Sequence, residues 1–284
     1  MGRLDGKVAL ITGGARGQGR SHAIGLAQDG ADIAICDVDT GLTTTPYATA
    51  TAQDLVESEA LVSATGRRCL AATVDVRDRD GMRAFVARVA SELGGIDIVV
   101  ANAGIINYAP LWEFTDEQWD EVLDTNLTGV WNTVRACVPH QIDQGRGGSL
   151  VLISSTAGLV AVPGSVAYTV SKHGVVGLMR SLAVELGRFG IRANAIHPTS
   201  VRTPMVENQA TRDLFAGHEG GTAEVQEAIS ERLNLLPVAF VEPNDITNAV
   251  RYLVSDDARW VTGTSLNVDA GATANPPGNW RGIT

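Results

Sequence analysis

Short apolar runs and longer periodic ones alternate along the chain. Residues 8–12, 32–37, 68–75, 96–101, 148–155, 192–197 and 264–268 are brief and rich in Val, Ile, Leu and Ala. Such runs predict strands buried on both faces. Between them, apolar residues recur at helical spacing over 20–29, 53–64, 78–93, 166–189, 223–235 and 244–255. Thr115-Asp-Glu-Gln118 reads as a capping box that opens a further long helix carrying Asn126. Strand–helix alternation from end to end predicts an α/β chain. Its core is a doubly wound parallel sheet of about seven strands with helices on both faces. No repeat or linker divides the chain, so residues 1–284 read as one domain. Two segments fit neither pattern. Residues 38–52 are Thr-rich, carry Pro46 and are too long for a tight crossover, which marks an insertion. Residues 203–241 form a long excursion between the last two strands, and the tail from 271 to 284 is irregular.

Composition narrows the partners. Net charge is −10, from 22 basic and 32 acidic residues, so no basic footprint exists for nucleic acid or an anionic membrane. No apolar run reaches the roughly 18 residues of a membrane span. Cys36, Cys69 and Cys137 lie far apart without metal-ligand spacing. They read as buried thiols of a cytoplasmic protein, and no metal site is expected. His22, His140, His197 and His218 show no ligand spacing, and His173 reads as packing.

Chemistry gathers at the carboxyl ends of the strands, where parallel sheets bind ligands. The first strand runs into Gly13-Gly-Ala-Arg16-Gly17-Gln18-Gly19 and then a helix. That context suits a pyrophosphate, which needs close backbone approach and free N–H groups at a helix start. The spacing differs from the better-known G-x-G-x-x-G. Together these features predict a Rossmann fold. Asp37 ends the second strand, where a carboxylate accepts from a ribose 2′-hydroxyl and repels a 2′-phosphate. It favours NAD over NADP, with Arg16 as a mild counter-signal. Asp75-Val76, Asn102-Ala103-Gly104, Ser154-Ser155 and Pro198 to Thr203 also follow strands. Tyr168 and Lys172, four apart, share one helical face. An ammonium near a phenol of reference pKa about 10 favours the phenolate. The pair is therefore equipped to take a proton from an alcohol or return one to an alkoxide. Ser155 or Ser154 supplies a hydroxyl from the preceding strand end.

Thr12-Gly-Gly-Ala-Arg-Gly-Gln-Gly19, Asp75-Val76, Asn102-Ala-Gly104, Asn126, Ile153-Ser-Ser155, Tyr168-x-x-x-Lys172 and Pro198-x-x-Val201-x-Thr203 occur in that order. In this the chain resembles the compact single-domain branch of the short-chain dehydrogenase/reductase family, over residues 4 to about 272. The resemblance implies Tyr168 as general base or acid and Lys172 as its pKa-lowering partner and ribose ligand. It implies Ser155 at the substrate oxygen and Asn126 holding a relay water. It also implies hydride transfer at NAD without a metal, and a homotetramer built on the helices of Asn126 and Tyr168. Val130, Trp131, Val134, Val175, Val176, Leu178 and Met179 are the apolar residues expected to serve it. Thr199 departs from the family's usual glycine. Gly17 to His22, the insertion, Trp131, His197 to Ser200 and Val268 to Ala272 are similar to the mycofactocin-associated, carveol-dehydrogenase-like subgroup. That likeness implies tightly held NAD and a mycofactocin redox carrier as electron acceptor, with 38–52 as a lid over the adenine half. Met205, Leu214, Phe215, Leu233, Leu235, Leu236 and Phe240 suggest a pocket for an apolar secondary alcohol or its ketone, such as a cyclic terpenoid. An NADPH-dependent ketoreductase of acyl or sugar type and a non-catalytic NAD(H) sensor are the competing readings.

Overall fold

A computed structural model describes residues 2–275. Side chains alternate along each strand, and here the alternation sorts the core into two halves. Val8 and Leu10 of the first strand join one apolar cluster, and Ala9 and Ile11 join the other. In chain order the elements are β1 (Val8–Thr12), α1 (Gly17–Gln28), β2 (Asp32–Asp37), α2 (Ala52–Ser63), β3 (Cys69–Thr73), α3 (Arg79–Leu93) and β4 (Ile98–Ala101). Next come α4 (Asp116–Leu123), α5 (Gly129–Gln144), β5 (Gly148–Ile153), α6 (Val166–Leu186) and β6 (Ile191–Pro198). The series ends with α7 (Gln209–Ala216), α8 (Ala223–Leu233), α9 (Pro243–Val254) and β7 (Ser265–Val268). Seven strands form one sheet in the order β3-β2-β1-β4-β5-β6-β7, every pair parallel. Helices α3, α5 and α6 cover one face, and α1, α2 and α9 the other. The order reverses at β1, between β2 and β4, which places a ligand crevice beyond the carboxyl ends of those strands.

Several expectations change. α1 begins at Gly17, three residues before the expected start, because the glycine loop itself enters the helix. The expected long helix from Thr115 runs on through Asn126, but it widens midway. A π-turn at Asp124–Thr128 separates α4 from α5 and pulls Asn126 into the interior. The excursion 203–241 holds an additional helix, α7, whose short polar start at Asn208 hid it. α6 ends at Leu186, and Gly187–Phe189 tighten into a 3-10 turn. Cys36 and Cys137 are buried as expected, but Cys69 is half-buried. Of the expected tail, residues beyond 275 lie outside the described ones. The apolar surplus on α5 and α6 is mostly core: Val130, Val134, Val175, Val176 and Met179 are buried and Leu178 packs against them. Trp131, Val170 and Val184 are the exposed ones. No helix among the described residues is long and apolar enough to cross a membrane.

One contact between α1 and α9 carries a pH signature. His22 is fully buried, with Nδ1 2.8 Å from the Thr247 hydroxyl. Burial pulls its pKa from 6.5 down to about 3. The folded chain thus keeps a neutral imidazole where the unfolded chain would take up a proton. The stability this contributes is present above pH 6.5 and is lost as pH falls toward 3. Urea titrations in that window should show stability falling by about 1.4 kcal/mol per pH unit from this group. His22→Asn should remove that component, and an unchanged slope would count against it.

Candidate active site

The crevice opens with the turn after β1. Gly17 has φ +56°, and a Cβ on Gly19 would lie 2.0 Å from the Gly13 carbonyl oxygen. Neither position tolerates a side chain without distortion. Gly19 is therefore a packing glycine at the back of the loop, while Gly13, Arg16, Gly17 and Gln18 line the cleft. Arg16 caps α1 without a side-chain hydrogen bond, whereas Thr51, Asp78 and Thr115 cap α2, α3 and α4. The first N–H groups of α1 and its positive dipole end stay available to an anion. Gln18 Oε1 is buried with no partner. A dinucleotide pyrophosphate fits this cradle.

The adenosine end is acidic. Asp37 accepts from Ala15 N at 2.9 Å and Val38 N at 2.8 Å, and each oxygen keeps accepting capacity. Burial raises its carboxyl, opposed by these two bonds and by Arg16. Asp75 and Val76 line the cleft. The Asp75 carboxylate is clasped by Arg77 through Nε at 2.8 Å and Nη2 at 2.7 Å. Asn102 also faces the cleft, but its amide binds the Thr12 and Gly13 carbonyls, which ties the β4 end to the glycine loop. Thr12 Oγ1 accepts from the backbone N of Asn102 and Ala103 in return.

The insertion is a strap with anchors along its length. Arg77 donates to the Gly41 carbonyl at 2.8 Å, and Arg16 to that of Ala48. Glu121 of α4, 8% exposed, accepts from Thr43 N at 2.9 Å, Thr44 N at 3.0 Å and the Thr44 hydroxyl at 2.5 Å. Burial alone would raise the Glu121 carboxyl. The bonds from Thr44 and Thr43, with Arg77 nearby, outweigh it and leave the pKa lowered. Asn107 donates to the Thr44 hydroxyl at 2.7 Å, and Tyr47 Oη accepts from Ile106 N at 3.2 Å. The strap therefore continues past the adenosine end, where it was expected to stop, to the loop after β4. Leu42 packs in the same apolar cluster as Ile105 and Tyr168. With Val38, Leu42, Tyr47, Thr49 and Ala50 it walls a cleft of about 890 Å³, its open mouth included.

The proton-transfer groups lie behind Gly104 of that cleft. A Cβ there would sit 3.3 Å from Asn126 Oδ1 and 3.5 Å from Lys172 Nζ. The π-turn aims Asn126 at the Ile105 backbone, with Oδ1 accepting from N and Nδ2 donating to O, both at 2.8 Å. Lys172 is buried and donates to the Ile153 carbonyl at 2.9 Å, its ammonium 5.5 Å from the Tyr168 ring centroid. Burial pushes the Tyr168 hydroxyl up to about 12, and a hydrogen bond with Ser155 opposes this. Burial also pulls Lys172 down to about 8. The lysine thus stands over the ring, but in place of the expected lowering of the phenol by Lys172, burial raises it and only Ser155 opposes. Ser154 is the structural serine, donating to the Lys172 carbonyl at 3.0 Å, and Ser155 is the one at the phenol. His197 Nδ1 lies 2.7 Å from the Ser155 carbonyl and fixes that strand end. His173 is exposed and bonds the Thr169 carbonyl.

Beyond β6, Val201 is buried and bridges Val241, and Pro198 closes the strand. Neither lines the cleft, whereas Thr203, Ala103 and Gly104 do. The Thr203 methyl would lie 3.3 Å from a Cβ on Gly17, so this loop closes on the glycine turn. Of the expected apolar lining, Met205 faces the cleft and Leu214 covers Gly164 at 3.3 Å from its would-be Cβ. Phe240 is core, and Leu233, Leu235 and Leu236 are exposed. Glu121, Arg77, Tyr47 and His197 were missed as site residues. Their partners lie from 36 to 78 residues away, outside any local motif.

The family described as enoyl-(acyl carrier protein) reductase matches residues 13–273. A short-chain type dehydrogenase/reductase of Mycolicibacterium smegmatis is 50% identical, over 95% of this chain and 98% of that protein. (−)-trans-Carveol dehydrogenase of Rhodococcus erythropolis is 47% identical, over 96% and 99%. The crystal structure of carveol dehydrogenase from Mycobacterium avium in complex with NAD superposes with a TM-score of 0.95 at 47% identity, covering 97% and 100%.

Proposed function

The chain belongs to the short-chain dehydrogenase/reductase family, and from that footing we propose that it interconverts an apolar secondary alcohol and its ketone with NAD. The observation that carries this reading is the adjacency of Lys172 and Asn126 to Gly104, with the Tyr168 ring under the Lys172 ammonium, at one end of a cleft whose other end is Asp37. A terpenoid alcohol of the carveol class suits the apolar wall, and two relatives named for carveol support it. Asp37 opposes a 2′-phosphate and so an NADPH-dependent ketoreductase.

NAD supplies the hydride acceptor when bound. The uncapped start of α1 would hold the pyrophosphate with Gln18 beside it, Asp37 the adenosine ribose, and Asp75 with Val76 would border the adenine. Lys172 would hold the nicotinamide ribose, and Thr203 would seat the ring from the loop after β6, with Val201 buried behind it. Ser155 donates to the alcohol oxygen as charge grows on it. Tyr168 takes the hydroxyl proton in oxidation and returns it in reduction, with Asn126 on the outward relay. The strap, closed over the cleft by Arg77, Arg16 and Glu121, retains the cofactor so that an external carrier of the mycofactocin kind collects the electrons. Exposed Trp131, Val170 and Val184 support assembly as a homotetramer through α5 and α6.

Mass spectrometry of the denatured protein's supernatant should find NAD, and a panel of monocyclic secondary alcohols should be oxidised. No alcohol turnover in the NAD-loaded protein would refute the reading. The pH profile follows from Tyr168, whose phenol is neutral at pH 7. It is ready to donate in ketone reduction and must shed a proton before accepting one. Alcohol oxidation should therefore climb from about pH 6 to about pH 10, while ketone reduction stays level until the phenol begins to ionise near 12. A flat oxidation profile would exclude Tyr168 as the titrating group.

A further inference from the structure

We propose that Tyr47 of the strap is a specificity-determining residue: with Tyr108 it forms an aromatic wall that meets the carbon skeleton of the alcohol. The proposal rests on the alcohol-oxidising reading above and assigns the strap a second task beside covering the cofactor. Three placements carry it. Tyr47 lines the same cleft as Gly104, Ile105 and Met205. Its hydroxyl accepts from Ile106 N, two residues beyond that glycine, so the ring is pinned at the reaction end. Leu42, five residues earlier on the strap, shares an apolar cluster with Tyr168 and Ile105.

Tyr108 of the loop after β4 stands near Tyr47 and backs it. Its hydroxyl lies 3.4 Å from the Thr211 hydroxyl on α7, the first helix of the covering excursion. The strap, the loop after β4 and α7 therefore meet around one small volume. Burial raises the Tyr47 hydroxyl, and Tyr108 and Tyr168 are close enough to press it the same way. Two neutral phenols with apolar rings present a flat face to a flat ring, and they disfavour substrates carrying a charge. An aromatic wall discriminates by shape, since a bulkier skeleton collides with it and a slimmer one leaves it uncovered.

Three variants test this. Tyr47→Ala opens the wall, Tyr47→Leu keeps an apolar filling, and Tyr47→Phe keeps the ring but loses the bond to Ile106. The readout is the ratio of kcat/KM for a monocyclic ten-carbon alcohol to that for a two-ring alcohol, with bound NAD and melting temperature followed in parallel. Tyr47→Ala should move the ratio about tenfold or more toward the two-ring alcohol, and Tyr47→Leu by less. Tyr47→Phe should leave it near wild type. An unchanged ratio in a folded, NAD-loaded Tyr47→Ala enzyme overturns the wall, and so does a loss of NAD that alone accounts for the lost rate. Wild-type protein inert toward every alcohol would instead strike the functional reading itself, and the wall with it.

Discussion

Replacing Tyr168 by phenylalanine is expected to lower kcat/KM for the alcohol by about 10²–10⁴-fold while NAD stays bound. The variant keeps the ring that packs with Ile105 and Leu42 and over which the Lys172 ammonium sits, so the fold should be undisturbed. What disappears is the hydroxyl that Ser155 contacts. Without it no group at the phenol's position can receive the alcohol's proton, and Ser155 loses the partner that orients it. Asn126 is committed to both polar atoms of the Ile105 backbone and cannot substitute. Steady-state rates and cofactor content measured on the same preparation separate the outcomes. Loss of both would indicate a structural role for the hydroxyl. Retained rate would remove Tyr168 from the mechanism.

Glu121→Ala is expected to speed NAD release by about 10²-fold or more, with the sheet intact. Glu121 is almost wholly buried, yet its carboxylate receives two backbone N–H groups and a hydroxyl from Thr43 and Thr44. Removing it takes the acceptor from those donors, while the Arg77 guanidinium 3.5 Å away keeps Asp75 and the Gly41 carbonyl. Hydrogen bonds to a charged group contribute about 1.5–3 kcal/mol each, against about 1.4 kcal/mol for each tenfold in rate. The strap's middle should therefore detach while Arg77 and Arg16 still hold its ends. Release would be followed by the fluorescence of reduced cofactor after dilution into a scavenger. Glu121→Gln should be intermediate, since an amide oxygen still accepts. Unaltered release in the Ala variant would mean that the strap does not retain the cofactor.

The sheet was legible because burial on both faces leaves each strand a continuous apolar run, as in Val8–Thr12 and Ile98–Ala101. The glycine loop, Asp37, Ser155, Tyr168 and Lys172 were legible because each sits at a strand end or at a fixed helical spacing. Other features depended on distance in sequence. Asn126 reaches the interior only because the helix widens at Asp124–Thr128, and nothing in those five residues announces a π-turn. The length of the insertion was visible. Its reach to Ile106 was not, since that depends on Tyr47 meeting a residue 59 positions later. The roles of Val175 and Met179 were misjudged because the two faces of α6 are both apolar, with Val170 and Val184 on the outer one. Periodicity cannot tell a core-facing stripe from a subunit-facing one when neither is polar.

The sheet order imposes a timetable on biosynthesis. β1 is flanked by β2 on one side and by β4 on the other, and the Thr12 hydroxyl waits for the amide of Asn102, 90 residues downstream. Closing so long a loop early costs entropy that only the finished strand pair offsets. The nucleotide cradle is therefore incomplete until β4 has been synthesised and has docked.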